Sequence, residues 1–178
     1  MFSIQVTNEI HLELISYDHS DALFSLIEIE REYLAQWLVW PKYISSKTDY
    51  DGFVKRSLTE YANEESLVLC IFYKGKPVGT AAFVNLQKDL EKGEIGYWIA
   101  SSVQGNGIAT QVSKKLIEIG FKKLGLSKIE VSVAVDNERS QAVCERLGME
   151  IEGVISNVEK IGEKIFSHKK YALFNTNL

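Results

Sequence analysis

Apolar side chains in the first third of the chain recur on one helical face. After Asp18 they occupy the following positions: Leu23, Leu26, Ile27, Leu34, Trp37 and Leu38. This spacing predicts an α-helix that begins near Asp18 and ends near the Trp-Pro step at Pro41. A shorter helix is predicted from Thr48 to Asn63, because Thr48 and Asp51 have the spacing of an N-terminal capping box.

Short runs rich in β-branched and aromatic residues predict the first strands. One lies at residues 10–15, before the helices, and three more lie at residues 67–73, 78–86 and 94–100. The Lys-Gly-Lys-Pro sequence at residues 74–77 is typical of a turn between paired strands. These last three strands are therefore expected to form an antiparallel meander.

The second half of the chain alternates helices and strands. Helices are predicted at residues 107–123 and 137–147, and strands at residues 129–135, 151–158 and 164–174. A strand, a helix and a strand joined by short links imply a right-handed crossover between parallel strands. The whole order predicts an α/β fold with one twisted mixed sheet of about seven strands and about four flanking helices.

Length and composition limit the chain to one folded domain, residues 1–178. Of its 178 residues, 46% are hydrophobic and 25% are charged, which is enough to bury a core without disulfides or metal. The net charge of -4 argues against a nucleic-acid-binding surface.

The sequence predicts neither a metal site nor a membrane segment. Cys70 and Cys144 are far apart, with no Cys-x-x-Cys motif and no histidine pair at ligand spacing, so no metal is expected. The longest apolar run, residues 67–73, is far shorter than the roughly 18 residues needed to cross a bilayer. The N-terminus lacks the features of a signal peptide. We expect a cytoplasmic protein that binds no membrane.

The link between the strand at 94–100 and the helix at 107–123 contains Gly105 and Gly107. The first N–H groups of a helix are unpaired and attract phosphate, and glycine lets the backbone approach an anion closely. A plain connecting turn remains an alternative. A Walker loop is excluded because no Gly-Lys-Ser/Thr follows. A dinucleotide-binding turn is disfavoured because Thr110 stands at the third glycine position.

Three segments carry a resemblance to a known family. The motif Gln104-x-x-Gly107-x-Ala109 resembles the Gln/Arg-x-x-Gly-x-Gly/Ala acyl-CoA loop of the GNAT superfamily of N-acetyltransferases. The run Glu-Ile-Gly-Tyr-Trp-Ile at residues 94–99 is similar to the RimJ/RimL-like branch, which acetylates ribosomal-protein N-termini. Residues 137–149 resemble that branch's Asn-x-x-Ser-x-x-Val-x-x-x-x-Gly-Phe segment, with Met in place of Phe.

The resemblance implies acetyl-CoA as co-substrate and a splayed sheet that receives it. The fourth and fifth predicted strands would part at a bulge, so that the pantetheine arm pairs with the free strand edge and an N–H near Ile99 polarises the thioester. Backbone N–H groups from Gln104 to Ala109 would hold the pyrophosphate. The residues implied in donor binding are Tyr97, Trp98, Ile99, Ala100, Gln104, Gly105, Asn106, Gly107, Ile108, Ala109, Thr110, Asn137 and Ser140.

The resemblance also nominates catalytic residues. Glu159 is implied to accept the proton of the amine through water, and Ser140 to hydrogen-bond the departing thiolate, with Glu94 as a second candidate base. Each has a simpler alternative: Glu159 as a solvated strand residue, Ser140 as a helix-cap hydroxyl, and Glu94 as the partner of a lysine. Direct attack without an acyl-enzyme is implied, and Cys144 is expected to pack in the core.

The acceptor is less defined than the donor. Trp37, Trp40 and Tyr43 lie in a segment that borders the acceptor cleft in relatives, although they could instead pack in the core. His168 is the one histidine in a segment that could approach the acceptor. We expect acetylation of a primary amine, such as the N-terminus of a ribosomal or other protein. A small-molecule amine acetyltransferase and a non-catalytic CoA-binding module remain alternatives. A homodimer is an open alternative to a monomer.

Overall fold

The computed structural model describes residues 3–176. Its strands are β1 (Ser3–Gln5), β2 (Ile10–Leu14), β3 (Leu67–Tyr73), β4 (Lys76–Gln87), β5 (Lys92–Ile99), β6 (Lys128–Ala134), β7 (Glu150–Ile161) and β8 (Lys164–Phe174). Its α-helices are α1 (Ser20–Leu34), α2 (Lys47–Ala62), α3 (Ile108–Lys122) and α4 (Glu138–Arg146).

All the strands belong to one sheet, in the order β1-β2-β3-β4-β5-β6-β8-β7. Neighbours run antiparallel except β5 and β6, which are parallel and are joined through α3. This arrangement confirms the predicted mixed α/β sheet and its single parallel crossover.

Helices cover both faces of the sheet. On one face, α3 and α4 bury side chains such as Leu116 and Cys144 against the strands. On the other face, α1 and α2 contribute Ile27 and Val54 to a second core that includes Trp98 of β5. Because successive strand residues point to opposite faces, Tyr97 lies on the α3–α4 face and Trp98 on the α1–α2 face.

The sheet opens between β5 and β6. The two strands pair only where residues 92–94 of β5 meet residues 128–130 of β6. At the same level the register of β4 shifts between Phe83 and Asn85, opposite Glu94 and Ile95. An extra residue in one strand bends the ladder and increases its twist, and this bulge lies at the level where β5 and β6 part. The predicted splay is confirmed, and the bulge that accompanies it lies in β4.

The first predicted helix is too long. It ends at Leu34, and residues 35–37 form turns before a short 3-10 helix at Trp40–Tyr43. The Arg31 guanidinium donates to the backbone oxygens of Pro41 and Ile44, the latter at 2.7 Å. These bonds hold the segment back across the end of α1, which local spacing does not reveal.

Two further details differ from the sequence prediction. The capping box of α2 is formed by Ser46 and Asp49, two residues before the predicted pair, with the Asp49 N–H donating to Ser46 Oγ at 3.2 Å. The sheet also has eight strands, because Ser3–Gln5 pairs with β2. That strand has only three residues, too few for a periodic pattern.

Candidate active site

A loop with free backbone donors connects β5 to α3. Gly105 and Gly107 have φ angles of 80° and 72°, a region that glycine enters without strain. Within residues 3–176, no protein acceptor receives a hydrogen bond from the backbone N–H groups of residues 105–110. The N–H of Gln104 already donates to the Ser101 oxygen at 3.2 Å. The free donors therefore begin at Gly105.

Side chains from two helices hold this loop in place. Gln104 donates its amide N–H to the Tyr33 hydroxyl and accepts a hydrogen bond from Arg139 Nη1 at 2.8 Å. Ser101 Oγ donates to the carboxylate of the buried Glu30 at 3.0 Å. The Gln104 side chain therefore positions the loop, and Asn106 does so too by donating to the Val103 oxygen at 2.9 Å.

The free edge of β5 offers a second set of backbone groups. The Ala100 N–H donates to Val78 O at 2.8 Å, toward β4. Because backbone groups alternate between the two edges of a strand, those of Tyr97 and Ile99 point into the gap. Within the described residues β6 does not pair with this part of β5. The gap can therefore accept an extended, amide-bearing chain as an added strand.

The N-terminus of α4 closes the α3–α4 side of the gap. Asn137 is the N-cap residue, and its Oδ1 accepts a hydrogen bond from the Ser140 backbone N–H at 3.2 Å. The Ser140 hydroxyl is therefore not the capping group, and it interacts with the phenol of Tyr97. Burial is the main reason that the pKa of Tyr97 is raised to about 12, so the phenol stays neutral near pH 7.

Cys144 lies one turn after Ser140 and is buried. Burial raises the pKa of this thiol to about 12, which keeps it protonated at neutral pH. Since the thiolate is the nucleophilic form, Cys144 is not suited to form an acyl-enzyme. Its position in the core agrees with the packing role that we expected.

Glu159 lies on the opposite, α1–α2 side of the gap. It stands across from Phe166 in the β7–β8 ladder, and its Oε2 is 3.8 Å from Nε2 of His168. The Glu159 side chain is 31% exposed, which leaves room for water at the carboxylate. Nδ1 of His168 is buried and has no hydrogen-bond partner among the described residues.

Glu94 is engaged in an ion-pair network at the closed end of the gap. Its Oε2 lies 2.9 Å from Nζ of Lys170, which also lies 3.4 Å from Oε2 of the buried Glu130. A second lysine, Lys128, lies 2.7 Å from Oε1 of Glu130. The Glu94 carboxylate therefore has a lysine partner, which is the simpler alternative that the sequence offered for this residue.

Aromatic rings form a wall on the α1–α2 side. The rings of Trp37 and Phe166 meet edge to face at 6.2 Å, and those of Trp40 and Trp98 lie 5.9 Å apart. Tyr43 is 66% exposed and carries the Lys42 ammonium over its ring. Trp37 and Trp40 thus connect the segment after α1 to the strands that border the gap, whereas Tyr43 is not part of the aromatic wall.

Two arginines near the loop escaped the sequence prediction. Arg139 bonds Gln104, and Arg146 Nη1 lies 3.3 Å from Oγ1 of Thr110. They lie two turns apart on α4, so both face the loop. The sequence did contain a signal for them: two arginines seven residues apart on a helix that follows a predicted anion-binding loop.

The structure brings most predicted site residues around one gap. The loop, the edge of β5 and Ser140 lie on one side, and Glu159 lies on the other. The Ile108 side chain is buried in the core, so of this residue only the backbone faces the loop. Among residues 3–176, no group of three or more His, Cys, Asp and Glu side chains is arranged to hold a metal ion. Helices in this range all fall short of what a membrane crossing requires.

Comparison with known proteins identifies the family. The acetyltransferase (GNAT) domain matches residues 9–150. The ribosomal-protein-serine acetyltransferase of Escherichia coli (strain K12) is 26% identical over 170 residues, covering 96% of this chain and 95% of that protein. YdaF of Bacillus subtilis (strain 168), described as a candidate ribosomal N-acetyltransferase, is 33% identical over 154 residues, which cover 86% of this chain and 84% of YdaF.

A solved structure agrees with this result. The microcin C7 self-immunity acetyltransferase MccE, in complex with acetyl-CoA and AMP, superposes with a TM-score of 0.92. The two are 28% identical, and the alignment covers 97% of this chain and 96% of MccE. The chain belongs to the GNAT family of acetyltransferases.

Proposed function

We propose that this acetyltransferase moves the acetyl group of acetyl-CoA to the α-amine of a protein N-terminus. The observation that carries the proposal is the free edge of β5 next to a loop whose N–H groups at residues 105–110 have no acceptor among the described residues. Such a pair of features suits a long ligand with an anionic head and an amide-bearing arm.

The loop fits a diphosphate. Unpaired N–H groups at the N-terminus of α3 favour negative charge, and the glycines keep side chains away from them. The guanidinium groups of Arg139 and Arg146 add positive charge beside the same loop. We therefore assign the diphosphate of acetyl-CoA to residues 105–110 and its amide groups to the backbone of Tyr97 and the carbonyl oxygen of Ile99.

Acetyl-CoA supplies an activated thioester carbonyl as co-substrate. A protein α-amine has a pKa of about 8, so at neutral pH most of it arrives as ammonium and must lose a proton before it attacks. We assign Glu159 as the acceptor of that proton through water. Two features support this assignment of Glu159: its side chain is partly exposed, and it lies on the side of the gap from which an acceptor can enter.

The remaining proton goes to the leaving group. As the nitrogen forms its bond to the carbonyl carbon and the C–S bond breaks, the nitrogen gives up a second proton, which we route through the Ser140 hydroxyl to the thiolate. The N–H of Ile99 donates to the carbonyl oxygen, where negative charge develops. Attack is direct, because Cys144, the cysteine on the helix beside the gap, is a buried, protonated thiol.

The acceptor is proposed from shape and from relatives. The aromatic wall of Trp37, Trp40 and Phe166 suits an extended peptide with an apolar side chain, and a relative of nearly full length acetylates a ribosomal-protein serine. The similarity to the spermidine N(1)-acetyltransferase of Escherichia coli (strain K12) supports a small-molecule amine as the second candidate. A cytoplasmic location and a homodimer remain predictions.

The test is identification of the product. Cell extract is incubated with the enzyme and isotopically labelled acetyl-CoA, and labelled peptides are sequenced by mass spectrometry. We expect label on the N-termini of a small set of proteins. Label on small amines alone would favour the second candidate. Saturable CoA binding without turnover on any amine would instead indicate a binding module.

A further inference from the structure

A cavity of about 400 Å³ lies beyond the proposed acceptor end of the gap. The turns after α1 form one wall and the β7–β8 turn forms the other. Its lining residues are Ala35, Leu38, Val39, Lys42, Ile161 and Gly162. Apart from the Lys42 side chain, this lining is apolar. An apolar cavity of about 150 Å³ already accepts a benzene-sized group, so this one is large enough for a branched aliphatic side chain.

The lining residues of the cavity lie close along the chain to the aromatic wall and to the proposed base, Glu159. Trp37 belongs to the same turns as the cavity wall, and its ring contacts Phe166. Phe166 stands opposite Glu159 in the β7–β8 ladder. Ile161 follows Glu159 by two residues, which is about 7 Å along a strand.

The distance of about 7 Å between Glu159 and Ile161 determines which residue of an acceptor reaches the cavity. An extended peptide advances about 3.3 Å per residue. If its α-amine lies at Glu159, its second and third residues therefore lie at the level of Ile161. We propose that the cavity binds an apolar side chain at position 2 or 3 of the acceptor polypeptide. This inference rests on the proposed function and specifies its substrate class.

A peptide series tests the inference directly. Five-residue peptides of serine and glycine, each with a single leucine at position 2, 3, 4 or 5, are compared with the peptide that lacks leucine. Thiol release from acetyl-CoA gives kcat/KM. Leucine at position 2 or 3 is expected to raise kcat/KM about tenfold, mainly through a lower KM, because the contact exists before and during the reaction. Equal values at all positions would overturn the subsite.

A cavity-filling variant supplies the structural control. Ala35→Leu places bulk in the cavity and should remove the advantage of leucine at positions 2 and 3. Ala62→Leu makes the same change at the exposed end of α2 and should keep it. A leucine advantage that survives in a folded Ala35→Leu variant would contradict the assignment. Should this variant fail to fold, the peptide series on the unaltered enzyme still decides.

Serinamide separates this inference from the proposed function. It offers an α-amine without a second residue, so Ala35→Leu should leave its turnover unchanged. Peptides that are all acetylated equally would overturn the subsite alone. Failure of serinamide and every peptide as acceptors would overturn the subsite together with the proposed function.

Discussion

At the residue scale, Asn137 and Ser140 divide two tasks at the start of α4. The cap hydrogen bond uses the Asn137 side chain and the Ser140 backbone, so the Ser140 hydroxyl, which interacts with the Tyr97 phenol, is not needed for the cap. Ser140→Ala should therefore lower kcat about 100-fold with an unchanged urea-unfolding midpoint. Asn137→Ala should instead lower the free energy of unfolding by about 1 kcal/mol. Full kcat in Ser140→Ala would exclude the proton transfer that we assign to it.

The proposed base is tested in the same way. Glu159→Gln keeps the shape of the side chain but cannot hold the proton, so kcat should fall about 100-fold or more while calorimetry shows unchanged CoA affinity. Glu163→Gln, in the nearby β7–β8 turn, is the matched control and should behave like the unaltered enzyme because this side chain is 98% exposed. A normal rate in Glu159→Gln would exclude Glu159 as the base and favour Glu94.

At the scale of elements, the loop before α3 depends on backbone conformation. Gly107 has a φ of 72°, where a β-branched residue is strained, and its N–H belongs to the free donor set. Gly107→Val should weaken CoA binding at least about tenfold in calorimetry. Gly125→Val is the matched control, since Gly125 has a φ of 67° but lies in the α3–β6 link.

Both glycine variants should lose about 1–3 kcal/mol of stability from the strained backbone. Only Gly107→Val should lose affinity. Equal CoA affinity in the two folded variants would contradict the assignment of the diphosphate to this loop.

Elements with a complete local pattern were predictable, and elements set by distant contacts were not. Helix α3 and strand β6 carry full apolar periods between turn residues, so the predicted bounds differ from the observed ones by one residue at each end. The predicted end of α1 does not agree with the structure. Trp37 and Leu38 continue the helical spacing in the sequence, but Arg31 hydrogen-bonds the backbone oxygen of Ile44 and holds the chain in a turn.

The same distinction applies to the site. The glycines of the loop are a local signal, and they predicted its free donors. The contacts that Tyr33 and Arg139 make with Gln104 depend on how α1 and α4 pack around the loop. No pattern within a single element contains that information.

At the scale of the whole molecule, β7 is an edge strand with apolar side chains in solvent. They are Ile151, Val154, Ile155 and Val158, each at least 45% exposed. An exposed edge of this kind is a template for pairing with another chain, so between the two open alternatives, a monomer and a homodimer, we propose the homodimer. Light scattering should give a dimer mass for the unaltered protein and a monomer mass for Ile155→Lys. Ile29→Lys, on the surface of α1, should remain dimeric; a monomeric unaltered protein would refute the prediction.

The opening between β5 and β6 is the channel that we propose for the acetyl donor. The most direct measurement is a crystal structure of the protein with acetyl-CoA. We predict that the N–H groups of residues 105–110 donate to the diphosphate and that the pantetheine amides pair with Tyr97 and Ile99 along the free edge of β5. A donor bound elsewhere, with β5 and β6 closed on each other, would contradict the account.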